Sequence, residues 1–217
     1  MMDRNLGATS ATPGDVGALG LLYQWGRKDP FLCSSSISSS TVAKSTITWP
    51  SAVFTNSSSG TVSYVIANPT TFVMASYPYD WHYSFRDNSL WTTSESTKSI
   101  YDPCPSGWRV PDGGDNGVWS KALGSSSYFR ESSLYDSANE GMNFSGKFGS
   151  DQTIWYPAAG LRDCDKDRLG SGGYGGYWSA SPYDDDVYFL SVYDNGDVYP
   201  SRCSIRATGR SVRCLQE

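Results

Sequence analysis

At 217 residues with a net charge of −5, the chain is long enough to bury one well-formed core, and a single domain over residues 1–217 is the expectation. The acidic balance, without a Lys/Arg run, excludes a nucleic-acid surface, and no apolar stretch approaches the length of a membrane span. Fifteen Tyr, eight Trp and 22 Gly, with abundant Ser and Thr and few Glu and Lys, describe a loop-rich, mostly β chain of the α+β class with one or two short helices.

The opening Met1-Met2-Asp3-Arg4-Asn5 has neither the basic nor the apolar part of an export signal. Its motif-like start makes the chain read as the C-terminal part of a longer protein. Asp15 to Arg27 carries Val16, Leu19, Leu22, Tyr23 and Trp25, which predicts a short amphipathic helix running into an extended Tyr-Gln-Trp-Gly-Arg segment. Ser34 to Ser59, dense in Ser and Thr and broken by Ile47-Thr48-Trp49-Pro50, reads as an irregular surface excursion. Asp102-Pro103-Cys104-Pro105-Ser106-Gly107 is a rigid turn that delivers Trp108-Arg109-Val110-Pro111. Asp112 to Asn116 then supply turn and N-cap chemistry for a helix through Trp119 and Leu123.

Strands are expected at 154–159, 177–180, 187–193, 198–201 and 211–215, with Asp194-Asn195-Gly196-Asp197 as a hairpin turn of the Asn-Gly type. The central core should hold Trp108, Val110, Trp119, Leu123, Trp155, Trp178, Leu190, Val192 and Val212.

Five cysteines, Cys33, Cys104, Cys164, Cys203 and Cys214, leave at least one unpaired within the chain. None is spaced as C-x-x-C, and with His82 the only histidine a zinc site lacks ligands. A disulfide between Cys104, in its Pro-flanked turn, and Cys214 near the terminus would tie the last strand to the middle of the domain in an oxidising compartment.

Enzymatic readings meet the same shortage. His82, inside Tyr79-Asp80-Trp81-His82-Tyr83, is the one imidazole for a triad, and no Gly-x-Ser-x-Gly elbow accompanies it. Glu95, Glu131 and Glu140 show no pairing of the glycosidase kind. Asp163-Cys164-Asp165-Lys166-Asp167 opens like a calcium loop, but Arg168 replaces the turn glycine and Tyr174 the closing acid. Asp184-Asp185-Asp186 is expected as a solvated acidic loop. The expectation is a non-catalytic chain that needs no cofactor or metal.

Gly172 to Cys214 is the most informative tract. From Tyr183 to Thr208 it contains no Lys, Glu, Gln, Met or Trp, and is crowded with Tyr, Asp and Ser, which recognise partners with large contact area at low rotamer cost. If Leu190, Val192 and Val198 point inward, alternation sends Phe189, Ser191, Tyr193, Asp197 and Tyr199 to the opposite face. Tyr183, Asp184, Asp185, Asp186, Arg202, Ser204 and Arg206 can join them from the flanking segments. One contiguous ligand-binding patch is the expectation.

Met2-Asp3-Arg4-Asn5-Leu6-Gly7-Ala8, Tyr23-Gln24-Trp25-Gly26-Arg27, Asp102 to Pro111, Gly176-Tyr177-Trp178-Ser179 and Ser211-Val212-Arg213-Cys214 together resemble the Fibrobacter succinogenes major paralogous domain family, in that family's order. The resemblance spans nearly the whole chain, although the family's strand before Met2 is missing. It implies a C-type-lectin-like fold related to the formylglycine-generating sulfatase-modifying group, in surface and secreted proteins that serve as adhesin or pilus-tip modules. Those oxidising relatives use a close cysteine pair near the C-terminus. Cys203 and Cys214 stand 11 positions apart, and Cys214 already has a structural place in the family pattern.

The tract from Tyr183 to Thr208 also resembles the variable proteins of diversity-generating retroelements. Adenine-directed mutagenesis of AAY codons in those proteins cannot produce Lys, Glu, Gln, Met or Trp. Three readings therefore stand: an extracellular adhesin-type module that binds a glycan or protein receptor on a cell surface, a receptor-binding variable protein of a phage virion or bacterium, and a structural pilus or cell-surface module.

Overall fold

The computed structural model describes residues 1–34, 37, 42–43, 51–84, 86–92, 97–145, 154–165, 168–170 and 172–217. It is mostly β. Ten strands form the main sheet: β1 (Leu21–Gln24), β2 (Pro30–Leu32), β3 (Val42–Ala43), β4 (Phe129–Arg130), β5 (Leu161–Arg162), β6 (Arg168–Gly170), β7 (Tyr174–Tyr183), β8 (Asp186–Tyr193), β9 (Asp197–Ser204) and β10 (Gly209–Ser211). Their order is β3-β6-β5-β10-β7-β8-β9-β4, and β1 joins through β10 and carries β2. Only the β7–β10 pairing is parallel within this sheet. Two six-residue helices, α1 (Val62–Ala67) and α2 (Val118–Leu123), complete the α+β architecture.

The central strands divide two cores. Successive side chains on a strand point to opposite faces, so Trp178, Ala180, Val187 and Phe189 pack with Trp25, Trp81, Trp91, Val110 and Val212. On the other face Tyr177, Leu190, Val192 and Val198 pack with Trp119, Leu134, Met142 and Tyr156. Of the nine expected core residues, Val110, Trp119, Trp155, Trp178, Leu190, Val192 and Val212 are buried. Trp108 and Leu123 are half-buried and pack against the cluster edges.

Several local expectations are corrected. The helix after Asp15 is a single 3-10 turn, Val16–Ala18, whose Gly17 N–H donates to the Asp15 carboxylate at 2.8 Å. Gly20, in the left-handed region at φ 71°, ends it and lets β1 begin at once. α2 starts only at Val118, with Gly117 at its N-cap and no side-chain cap from the Asp112–Asn116 stretch, and it stops at Gly124, φ 67°. The β8–β9 turn has positive φ at Gly196 alone (84°), with Gly196 N–H donating to the Tyr193 carbonyl at 3.0 Å. That is a type I turn closed by a left-handed glycine rather than an Asn-Gly I′ turn.

The expected strand 211–215 is interrupted. Ladder pairing ends at Ser211 and resumes at Leu215–Gln216 against Trp108–Arg109. Between them the Val212 and Cys214 carbonyls accept from the N–H groups of Leu6 and Met2, each at 2.8 Å, so the N-terminal segment lies along the last strand. Cys104 and Cys214 form a disulfide across a sequence separation of 110. Half of the expected Ser34–Ser59 excursion, including Ile47-Thr48-Trp49-Pro50, lies outside the described residues, as do Glu95, Lys166 and Asp167. Ala52–Phe54 within it pairs parallel with Phe72–Met74.

Trp178 is fully buried, and its indole N–H donates to the Tyr23 carbonyl at 2.9 Å. Trp178→Ala is expected to cost about 3–5 kcal/mol in urea unfolding. The double change Cys104→Ser, Cys214→Ser should lower stability by about 4–5 kcal/mol through the longer unconstrained loop. A midpoint unchanged by either substitution would contradict this account of the core.

Candidate functional site

β8 is an inner strand, hydrogen-bonded to β7 on one side and β9 on the other. Its expected outward face is therefore partly a core face. Phe189 is 4% exposed, packs edge-on against Trp178 and lies 4.0 Å beneath the Arg210 guanidinium. Ser191, opposite Gly176 and Tyr199, is fully covered. Arg206 is also buried, over the Trp25 ring at 4.7 Å, with Nη2 donating to Asn88 Oδ1 at 2.6 Å and Nε to the Asp185 carbonyl at 3.3 Å. These three belong to the scaffold. Simple alternation fails for Phe189 and Ser191 because β8 carries an apolar layer on each face, and the turn before β10 folds Arg206 inward.

The structure brings the remaining expected residues together in two groups. Asp184 and Asp185, both exposed, form the β7–β8 turn with Tyr183 and Asp186 on either side. Asp185 pairs with Arg86, and burial pushes the Asp186 carboxyl up. Tyr183 stacks on Tyr188 with ring centroids 4.8 Å apart. This acidic group sits at the far end of β8 from Tyr193.

The second group is a row of four tyrosines. Tyr174 meets Tyr193 at 5.2 Å between ring centroids, Tyr193 meets Tyr199 at 5.9 Å and Tyr199 meets Tyr128 at 5.3 Å. Such tilted and edge-on contacts each add about 0.5–1.5 kcal/mol beyond burial and fix the rings. Arg202 clamps the row. Its Nη1 donates to Tyr193 Oη at 2.6 Å and its guanidinium lies 5.1 Å from the Tyr199 ring centroid. Asp197 anchors the far end, accepting from Tyr128 Oη at 2.8 Å and pairing with Arg130 at 3.4 Å.

Beside this row lies a cavity of about 270 Å³ whose walls include Tyr174, Tyr193, Arg202, Cys203, Ser204 and Arg210. Leu161 and Phe189 complete its lining, which holds two arginines and no carboxylate. Arg210 is 6% exposed; its guanidinium donates to Tyr174 Oη and, at 2.8 Å, to Ser204 Oγ, while Nε has no partner among the described residues. Burial pushes the Tyr174 phenol up, against the pull of the Arg210 charge. Gly176 makes this seat possible: a Cβ there would stand 2.5 Å from Arg210 Nη1 and 2.8 Å from Tyr174 Oη.

Tyr128, Tyr174, Gly176 and Arg210 were missing from the expected patch. Arg210 is the one of them with a legible signal, a charge placed between Gly209 and Ser211 in an otherwise short-chain strand. Elsewhere, Asp163, Cys164 and Asp165 hold their ligand atoms within 4.8 Å of one another. Burial, aided by the two carboxylates, pushes the Cys164 thiol up to about 11. His82 lines a separate cavity with Tyr77, Asp80 and Tyr83. No protein-family model, curated protein or solved structure matches the chain.

Cys203 is exposed, whereas Cys33 and Cys164 are buried. Desolvation and the neighbouring Asp186 charge push the Cys203 thiol up. The thiolate is the reactive form, so a raised thiol gives less of it at pH 8 and reaction slower than that of free cysteine, accelerating as pH rises. Ellman titration of the native chain should count one slowly reacting thiol and the denatured chain three. Fast release of all three from the native chain would contradict the burial of Cys33 and Cys164.

Proposed function

We propose that the chain is a non-enzymatic ligand-recognition domain of C-type-lectin-like architecture, an adhesin-type module whose binding face is the tyrosine row of β7, β8 and β9 with the adjoining cavity. The observation that carries this reading is the row itself: four interlocked rings at the surface, one of them gripped by Arg202, beside a two-arginine cavity. Rigid tyrosines lose little entropy on binding and offer both apolar faces and hydroxyls, which suits a glycan or a protein receptor. A buried disulfide favours an oxidising, extracellular or cell-surface setting.

A second reading, a receptor-binding variable protein diversified by a retroelement, has its own support. The exposed or half-exposed side chains that β8 and β9 present are Asp186, Tyr188, Tyr193, Asp197, Tyr199, Ser201, Arg202, Cys203 and Ser204, all Tyr, Asp, Ser, Arg or Cys and so of types reachable from an AAY codon. A reverse transcriptase and a near-copy of the 3′ coding segment in neighbouring DNA would support that origin, and their absence would remove it.

Tyr193 and Tyr199 are half-buried and contact mainly each other, their tyrosine neighbours and Arg202. The double change Tyr193→Ala, Tyr199→Ala should abolish capture on a glycan array and a cell panel while shifting the melting temperature by only a few degrees, roughly the effect of surface substitutions. Binding that survives the double change would overturn the assignment of this face.

A further inference from the structure

We propose that the cavity beside the tyrosine row is an anion-selective subsite that takes the acidic group of a carboxylated sugar residue; this rests on the recognition reading above and names its ligand class. Arg210 supplies the first reason. A buried guanidinium calls for compensation, yet among the described residues Arg210 has no carboxylate partner. Its donors reach only the hydroxyls of Tyr174 and Ser204, its Nε has none, and the face of Phe189 lies 4.0 Å away. Other buried arginines also leave a nitrogen unpartnered. Arg210 differs in that it opens on a cavity and shares it with a second arginine.

The electrostatics supply the second reason. In a chain of net charge −5, two guanidiniums and no carboxylate line one concavity, the Asp186 carboxylate reaching only its Cys203 wall. Low-dielectric walls focus such a field toward an incoming anion. Planar guanidinium groups match a carboxylate's two oxygens with paired N–H donors, a geometry that ammonium groups lack.

The remaining lining favours a sugar over an acidic peptide. Tyr174 Oη, Tyr193 Oη and Ser204 Oγ place three hydroxyls around the anion seat, each able to donate and accept as ring hydroxyls require. The Tyr193 and Tyr199 rings continue the wall outward, where the apolar face of a pyranose can lie. A volume of about 270 Å³ suits a single ring with its acidic substituent better than an extended peptide.

The test measures binding of the full chain to glucuronate and N-acetylneuraminate against glucose and N-acetylglucosamine. Calorimetry and tryptophan fluorescence are the readouts, since Trp178 lies 5.2 Å from the Arg210 guanidinium, together with protection of Cys203, in the cavity wall, from alkylation. Acidic sugars are expected to bind at least about tenfold more tightly than the neutral ones, with affinity falling as salt rises. Arg202→Ala, an exposed side chain whose loss leaves the core intact, should weaken acidic sugars about tenfold more than neutral ones, which also lose the clamp on Tyr193. Gly176→Ala, which keeps both charges but displaces the Arg210 guanidinium, should do the same.

Equal affinity for glucuronate and glucose, indifference of acidic-sugar binding to Arg202→Ala, or tighter binding of an Asp/Glu-rich peptide than of either acidic sugar would each overturn the proposal. Neutral glycans captured through Tyr193 and Tyr199 would leave the recognition reading standing while this inference falls. Failure of every glycan and cell panel, with no effect of the tyrosine changes, would remove both.

Discussion

The structure depends most on how Tyr23-Gln24-Trp25-Gly26-Arg27 is held. Three indole N–H groups donate to its carbonyls: Trp178 to Tyr23 at 2.9 Å, Trp81 to Trp25 at 2.6 Å and Trp91 to Arg27 at 3.2 Å. The fourth indole, that of Trp25, reaches across to the Ser179 carbonyl at 3.0 Å. Gln24 uses its whole amide, donating to the Val73 and Ala207 carbonyls and accepting from Val73 N–H and Arg27. A buried amide that finds all its partners fixes geometry as well as adding stability, because any slip would strand several polar groups at once. In this way residues 150 positions apart are locked in register without a continuous ladder between them.

That lock reaches the proposed binding face through β10. Pairing of Leu22, Tyr23 and Gln24 with Ser211, Arg210 and Gly209, and the bond from Trp25 N–H to the Arg206 carbonyl, set where Arg210 stands under the cavity. Arginine recurs as the charge that the core admits. Arg27 lies 5.0 Å from the Phe31 ring, Arg206 4.7 Å from Trp25 and Arg213 4.0 Å from Tyr156. Burial lowers Arg27 only to about 10, so it stays charged at neutral pH. A weakly hydrated, planar cation can stack on a ring and still fork its hydrogen bonds, which a lysine cannot do. Arg213 shows the use of this: its Nη2 donates to Asn5 Oδ1 and to the Trp155 carbonyl, joining the N-terminal motif to the last.

Legibility in the primary structure followed the range of the interactions. The β8–β9 hairpin, the turn at Gly196 and the placing of Tyr193, Tyr199, Arg202 and Ser204 on the side away from Leu190, Val192 and Val198 rest on period-two alternation and local turn chemistry. Phe189 and Ser191 were misplaced by the same alternation, which assumes that one face of a strand meets water, and Arg206 by its expected place in an outward flanking segment. Whether it does depends on β10 and on the indole-bound segment packing over it, the latter through contacts made across more than 150 positions. Arg210 and Tyr174 were hidden for a related reason. Each lies in or beside a stretch that reads as structural, and only the parallel β7–β10 pairing brings them into one cavity. The helices were overdrawn at both sites because apolar spacing persists through Gly17, Gly20 and Gly117, where the backbone turns.

A division of labour follows from these contacts. The register of β8 and β9 is carried by backbone ladders and by the side chains of Val187, Phe189, Leu190, Val192 and Val198. Tyr199, Arg202 and Cys203, and the turn residues Asp184 and Asp185, add little to either core. Substitutions at such positions normally shift stability by small amounts, so the face can change its chemistry while the hairpin keeps its shape. The cavity floor cannot. Arg210 is wedged against Phe189 and seated over Gly176, and its position is inherited from the β1 lock. The proposed binding face would then have a replaceable rim around a fixed charged seat, so that on this proposal the scaffold sets the charge of the ligand and the rim the identity of what surrounds that charge.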